Sequence, residues 1–309
     1  MSKLKSIFCA AFLFIVCAVM CVGCSFNING NIDETGNSGN SGNNGTGNQE
    51  TPVVSIITLA EAETLITNAL TIDNNQSNRN LFEKLSKFEI SMNTNTFEPE
   101  LEENYHKTSI EGNVEYADGA SKVYHVNESI KNFKTGNSDS EKYLINGVEY
   151  KKDINTNEIT YSSHDSVMLA VSHSFNSLLS EQAFDHVLKD EVERVATTND
   201  GFTLNLKTDL KGALQIVVGD YSENFESTWH DYQTELKKFY TQKDLDECYA
   251  LIKLNFSKYG NIIGADFELI YLALSGNNAC QQEMYVSVNK TISEITQPEW
   301  VTEYLENQN

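Results

Sequence analysis

Six histidines are the residues of this chain best suited to bind a metal ion or to transfer protons. They are His106, His125, His164, His173, His186 and His230. Zinc sites often bring two histidines together as His-x-His or His-Glu-x-x-His, and neither spacing occurs in this sequence. His164 precedes Asp165, but adjacency along the chain does not orient a carboxylate toward an imidazole. We therefore predict surface or edge-strand histidines, with no metal site, no cofactor and no catalytic residue.

The segment Asp153–Asn157 offers side-chain oxygens at the first, third and fifth positions of a calcium-binding loop. The match ends there, because Glu158 stands where the loop needs glycine and His164 where it needs a bidentate glutamate. The same residues suit a short turn between two strands, and we predict that turn. Acidic residues are plentiful elsewhere, so an acid–base carboxylate pair stays open, although no pattern singles one out.

The N-terminal segment contains the most specific signal in the sequence. Lys3 and Lys5 precede an uncharged apolar run from Ile7 to Val22, and the chain continues with Gly23 and Cys24. A membrane-spanning helix needs about 20 apolar residues, so a basic start followed by this shorter run is typical of a secretory signal peptide. The cysteine at its end is either a chance feature or a modification site.

A small residue directly before Cys24 resembles the lipobox of bacterial lipoproteins, with Cys21 at the position where leucine is usual. In that family the cysteine receives a diacylglyceryl group, which palmitate labels, and the peptide is cut before it. The resemblance implies that residues 1–23 are a lipoprotein signal peptide. It also implies that lipidated Cys24 anchors the protein to the extracytoplasmic face of the cell membrane. Cys17 and Cys21 match less well, because neither follows a small residue.

The charge of the chain restricts its partners. There are 22 basic and 44 acidic residues, a formal net charge of −22. Removal of residues 1–23 takes away Lys3 and Lys5 and no acidic residue, which lowers the net charge to −24. Such acidity argues against nucleic acid as a partner, and against a polybasic contact with anionic lipid. We therefore expect the attachment to the membrane to be covalent.

Residues 24–57 are predicted to be a tether. Asn, Gly and Ser dominate positions 27–50, and such a segment has too little apolar surface to repay its ordering entropy. A Gly-rich coil of this length spans on the order of 25–30 Å r.m.s.. The folded domain is predicted to cover residues 58–309, where the residue pattern changes.

Helix signals mark the start of this domain. Thr58 and Glu61 form a capping box, and apolar residues then recur at helical spacing up to Leu70. A second short helix is predicted near Leu81–Lys87. Two further helical stretches are predicted near Ser166–Leu179 and Tyr232–Tyr240, with a shorter one after Leu210.

Hairpin signals follow from Phe88 onward, where apolar residues alternate with polar ones. The dipeptides Asp118-Gly119, Asn146-Gly147 and Asp200-Gly201 favour two-residue turns with positive φ. The second turn predicts that Tyr143 pairs with Tyr150 and Ile145 with Val148. The first turn predicts that Val114 pairs with Val123.

A three-stranded meander is predicted at the end of the domain. Its strands run from Cys248 to Phe256, from Ile263 to Tyr271 and from Met284 to Val288, and one face is apolar. Cys248 and Cys280 are assigned to strands that a third strand separates, so we predict two buried thiols and no disulfide. The apolar face contains the candidate ligand-lining residues: Ile252, Leu254, Phe256, Phe267, Leu269, Met284 and Val286.

The predicted order of a helix, successive hairpins with inserted helices and a closing meander resembles the lipoprotein-carrier superfamily of LolA/LolB and LppX/LprG type. The stretch Tyr143–Lys152 also resembles a hairpin that is common in small lipoproteins of this kind. The resemblance implies an α+β fold: a strongly curved antiparallel sheet, a half-barrel, with helices covering its concave face. Members hold acyl chains in that space or use the architecture for other roles.

Two functions follow from this sequence, and neither is enzymatic. The first is a lipid-anchored protein that binds an acyl chain or other apolar ligand in the curved sheet. The second is a surface interaction or structural lipoprotein with a filled half-barrel and a protein partner at the cell surface. The sequence does not choose between them, because core-facing and ligand-facing apolar residues have the same pattern.

Cys24→Ala is expected to release the protein from the membrane or to stall its processing, because the variant lacks the thiol that receives the lipid. Metabolic labelling with radioactive palmitate measures this directly. Label that persists in the Cys24→Ala protein would contradict the lipobox assignment.

Overall fold

The computed structural model describes residues 53–72, 75–97, 106–132, 135–163, 165–197, 200–218, 220–275 and 278–308. The predicted signal peptide, Cys24 and the predicted tether up to residue 52 lie outside the described residues, as does His164.

One antiparallel sheet of twelve strands dominates the structure, in the order β1-β10-β11-β12-β13-β14-β4-β5-β6-β7-β8-β9. Its strands in chain order are β1 (Val54–Thr58), β4 (Lys87–Phe97), β5 (His106–Ala117), β6 (Ala120–Asn132), β7 (Gly136–Ile145), β8 (Val148–Asp153), β9 (Ile159–Ser162), β10 (Glu191–Ala196), β11 (Phe202–Asp209), β12 (Tyr249–Phe256), β13 (Ile262–Ser275) and β14 (Asn278–Lys290). A separate pair is formed by β2 (Thr71–Ile72) and β3 (Asn75–Arg79). The first strand therefore occupies residues that the sequence assigned to the end of the tether.

Eight helices are present in the described part of the chain. They are α1 (Leu59–Leu70), α2 (Leu81–Leu85), α3 (Leu169–Leu178), α4 (Glu181–His186), α5 (Leu210–Val218), α6 (Glu223–Leu236), α7 (Gln242–Asp246) and α8 (Glu299–Asn307). The predicted capping box at the start of α1 is confirmed: the Glu61 N–H donates to Thr58 Oγ1 at 3.2 Å, and the Thr58 N–H donates to the Glu61 carboxylate at 2.9 Å.

The three predicted hairpins are present, but only two have the predicted two-residue turn: Ala196 pairs with Phe202, so the connection that contains Asp200 and Gly201 is longer. Asn146 and Gly147 both have positive φ, and Tyr143 pairs with Tyr150 as predicted. In the β5–β6 hairpin the prediction is wrong, because Val114 pairs with Tyr124. A register shift next to Glu115 inserts one extra residue, and a one-residue slip reverses the faces of the side chains.

The predicted half-barrel is wrong. The sheet is open, with β1 and β9 as its two edges, and it is not strongly curled. Strong curvature needs bulges or glycine kinks repeated along the strands. In the described ladders of this sheet, register shifts occur at Glu115/Tyr116 and at Asn255/Phe256, both next to hairpin turns at the strand ends. The middles of these strands therefore lack bulges.

The two sides of the central strands differ. On one side, helices α1 to α7 contribute buried residues to the main core, and we call this the helix side. On the opposite side, which we call the open side, α8 covers only the β6–β9 end. There Trp300 and Val301 form a small cluster with Tyr143, against which Ile145 and Tyr150 pack.

Cys248 and Cys280 are both buried free thiols, as predicted, and β13 separates β12 from β14. Burial raises the pKa of the Cys248 thiol to about 12. A thiol with this pKa has only about one molecule in 10⁴ as the reactive thiolate at pH 8.

We therefore expect neither thiol of the native protein to react with a chromogenic disulfide reagent at pH 8. Both should react once urea unfolds the chain. Stoichiometric reaction of the native protein would contradict the placement of these residues.

Candidate functional site

The candidate ligand-lining residues lie together on the helix side of β12, β13 and β14. Ile252 pairs with Phe267, and Phe267 pairs with Val286 on the next strand. Met284 is partly buried and packs against the core. The remaining six are at most 2% exposed: Ile252, Leu254, Phe256, Phe267, Leu269 and Val286.

Side chains of this protein fill the space next to these residues. The ring of Phe175, from α3, is centred 4.6 Å from the ring of Phe267 and 5.6 Å from that of Phe82, from α2. At the edge of the group, the rings of Phe202 and Phe256 stack at 4.7 Å. Contacts at these distances are those of a packed core.

A shallow groove lies on the open side of the same strands. It has a volume of about 220 Å³. Most of the residues along it are polar or amphipathic and come from β4, β12, β13 and β14: Ser91, Asn93, Lys253, Asp266, Glu268, Tyr285 and Ser287. Leu251 is the apolar side chain of its open-side row, and two of the candidate ligand-lining residues, Phe267 and Val286, also border it.

Hydrogen bonds hold the acidic groups of this groove in place. The Tyr249 hydroxyl donates to the Glu268 carboxylate at 2.5 Å, and the Ser287 hydroxyl donates to Asp266 at 2.8 Å. Burial, followed by the hydrogen bond to Glu268, raises the pKa of Tyr249. Burial and the nearby carboxylate of Glu283 raise the pKa of Tyr285, so both phenols remain neutral donors at physiological pH. The groove is therefore an organised hydrogen-bonding surface.

A buried ionic network lies on the helix side of β6, β7 and β8. Lys142 is 0% exposed, and its Nζ donates to Glu128 at 2.7 Å and to Ser166 Oγ at 3.0 Å. The Glu149 carboxylate accepts hydrogen bonds from the Tyr124 hydroxyl and from the Ser166 N–H, the latter at 3.2 Å. The two carboxylates are each 5% exposed.

Ser166 and Lys142 lie as close together as a serine nucleophile and its lysine base do in an enzyme. Their hydrogen bonds, however, differ from those of such a catalytic pair. A lysine base needs a free lone pair, whereas Lys142 donates from an ammonium group to the Glu128 carboxylate. The Ser166 hydroxyl in turn donates to Glu149. The arrangement is an ion pair with satisfied hydrogen bonds, and its role is structural.

Sequence reasoning missed this network because lysine and glutamate usually mark solvent-facing positions. The strand pattern contains a signal that could have found it. Glu128 follows the buried residues Tyr124 and Val126 at alternate positions of β6, and Lys142 precedes buried Leu144 in β7. A charged residue in the inward row of a strand needs a partner of opposite charge.

The candidate calcium segment is a turn, as predicted. The Asp153 carboxylate accepts hydrogen bonds from the backbone N–H groups of Asn155 at 2.8 Å and Thr156 at 2.7 Å. No cluster of three or more potential metal ligands occurs among the residues that the structure describes. Within the same residues, no helix has the length and apolar character needed to cross a membrane.

A scan against protein-family models and a search of curated proteins found no match to this chain.

Lys142→Met is expected to lower the free energy of unfolding by up to about 3–5 kcal/mol. It removes the fully buried ammonium group from the Glu128 carboxylate and leaves only the partly exposed Lys151, at 3.4 Å. Lys238→Met is the matched control: Lys238 pairs with Glu235 on the surface, and exposed pairs contribute about 0–1 kcal/mol. Urea unfolding measures both.

The double variant Lys142→Met, Glu128→Leu should recover most of this loss, because it removes the two fully buried charges together and the remaining partner, Lys151, is partly exposed to solvent. If Lys142→Met is as mild as Lys238→Met, the network does not stabilise the fold.

Proposed function

We propose that this protein is a lipid-anchored lipoprotein on the extracytoplasmic face of the cell membrane, and that it acts by binding a protein partner through its surface. It does not enclose a lipid. The proposal contains no catalytic step, because the one close serine–lysine contact described above is an ion-paired arrangement without a base.

Packing of the helix side is the observation that supports the surface role most directly. A cavity for an acyl chain measures several hundred Å³ and is lined by apolar side chains. Here Ile252 and Leu254 are 0% exposed, and the ring of Phe175 lies against Phe267. The apolar residues that could line such a cavity are already occupied by the protein's own side chains.

The composition of the groove on the open side supports the proposal that the protein partner binds there. Its ordered carboxylates, its neutral phenols and the exposed Lys253 offer both hydrogen-bond acceptors and donors. Tyrosine is also enriched where proteins bind proteins, because it combines apolar area with a hydroxyl group, and Tyr285 is 36% exposed. This composition suits a polar protein surface better than an acyl chain.

The N-terminal sequence supports the membrane location. Gly23-Cys24 follows an apolar run of signal-peptide length. The strongly acidic composition of the rest of the chain offers little attraction to anionic lipid. A covalent lipid on Cys24 provides the attachment that the charge of the protein does not.

Leu254→Ala tests the filled helix side, and Leu251→Ala on the same strand is its matched control. Leu254 is fully buried on the helix side, whereas Leu251 is half-buried and lines the groove. We expect Leu254→Ala to cost about 2–5 kcal/mol in urea unfolding, because it leaves a cavity in a packed core. Leu251→Ala should cost clearly less.

After delipidation, the wild-type protein and both variants should show no saturable binding of a fluorescent fatty acid. Saturable binding that weakens in Leu254→Ala but not in Leu251→Ala would reject the surface role and favour a lipid carrier.

A further inference from the structure

The chain enters the domain at one particular end of the sheet. Val54 begins β1 and pairs with Val195, near the end of β10. The next strand begins with Phe202, which pairs with Phe256, the last residue of β12. Val53, the β10–β11 hairpin and the turn after β12 therefore lie at the same end, which we call the entry end.

The neighbouring strands β13 and β14 also contribute to the entry end. Near the start of β13, Gly264 pairs with Asn289, near the end of β14. Tyr259 lies in the turn that leads into β13, Ile263 directly precedes Gly264, and Ile292 follows the end of β14. Paired strands are about 4.8 Å apart, so these three residues belong to adjacent parts of the entry end.

The three side chains are strongly exposed. Ile292 is 96% exposed, Tyr259 79% and Ile263 46%. Single exposed apolar residues are ordinary, whereas three on adjacent chain segments mark a candidate interaction site. Among the described large apolar side chains, Ile292 and Tyr259 are also the two most exposed. We call these three residues the apolar tip.

The chemistry of the apolar tip suits the interface of a lipid bilayer. Tyrosine prefers the level of the lipid headgroups, and isoleucine prefers the acyl boundary. Lys258 and Lys290 are exposed beside the tip, and lysine extends its ammonium toward headgroups while its stem stays in apolar surroundings. Glu89 and Glu294 are also exposed nearby and offset the charge of the two lysines. The attraction of the tip to the bilayer therefore rests on the apolar side chains and not on net charge.

The position of the anchor favours lipid over other partners of the tip. The chain between Cys24 and Val53 has the composition of a coil that spans on the order of 25–30 Å r.m.s.. It joins the domain at the entry end, about three strand spacings, or roughly 15 Å, from β12. A short flexible linker gives an effective concentration in the millimolar range. A weak affinity of the tip for lipid is then sufficient for contact.

We propose that the apolar tip, Tyr259, Ile263 and Ile292, inserts into the membrane interface and orients the domain with its entry end on the bilayer. The inference rests on the proposed function, because it takes lipidated Cys24 as the anchor. In this orientation the groove faces sideways along the sheet surface and stays accessible to a protein partner.

The test uses the lipidated full chain in vesicles of phosphatidylcholine and phosphatidylglycerol. A nitrobenzoxadiazole fluorophore is attached in Ile292→Cys, and in Ile154→Cys as the matched control. Ile154 is 51% exposed in the β8–β9 turn, at the opposite end of the sheet. Cys248 and Cys280 are buried, so the introduced thiol takes the label. Sedimentation with the vesicles is measured on the same samples.

We expect the emission of the Ile292→Cys label to rise about twofold or more on vesicles and to be quenched by nitroxide-bearing lipid, because the interface is less polar than water. The Ile154→Cys label should change in neither respect. If the protein sediments with the vesicles and both labels behave alike, the orientation is wrong. Emission that rises with the protein-to-lipid ratio but is not quenched by nitroxide-bearing lipid would overturn the proposal in favour of contact between two copies of the protein. Protein that stays in the supernatant would reject the lipid anchor itself, and this inference with it.

Discussion

Burial of one apolar side of a twelve-stranded sheet is the constraint on which the rest of this structure depends. Strand β12, most of β13 and the Met284–Val288 part of β14 direct an apolar residue to the helix side at every second position, and an open sheet cannot bury that side against itself. Seven helices supply the cover, and Phe175 on α3 reaches the ring of Phe267 at the centre. Because the helices gather on this side, the middle of the opposite side remains open for contacts with other molecules.

The buried ionic network shows how the same constraint is met in the part of the sheet formed by β6, β7 and β8. Around Lys142 the inward row of β6, β7 and β8 is charged, so ion pairing and hydrogen bonds replace apolar contacts there. A slip of one residue between these strands would turn Lys142 outward and leave Glu128 buried without its ammonium partner. We therefore interpret the network as a device that fixes the register of β6, β7 and β8, at some cost in stability relative to an apolar core.

Local features of the fold could be predicted from the sequence, whereas its global shape could not. The Thr58–Glu61 cap and the Asn146-Gly147 turn were predicted because each depends on a few adjacent residues. The half-barrel came from a family resemblance, and the curvature of a sheet depends on irregularities that alternating residues do not encode. The shifted register from Glu115 back along β5 arose in the same way, from one residue inserted in β6. The candidate residues Ile252 to Val286 were grouped on one face, but their pattern alone does not distinguish a core from a cavity.

The functional account depends on whether the helix side of the sheet is filled by the protein itself. Mass spectrometry of an organic extract of the purified protein tests this claim most directly, because any lipid enclosed without a covalent bond would be released into the solvent. The protein must be expressed in a host whose membranes supply acyl lipids, and it must be purified without a delipidation step. The account predicts no lipid in stoichiometric amount in the extract, while the covalent lipid remains on Cys24. A single class of acyl lipid extracted at about one molecule per protein would contradict it.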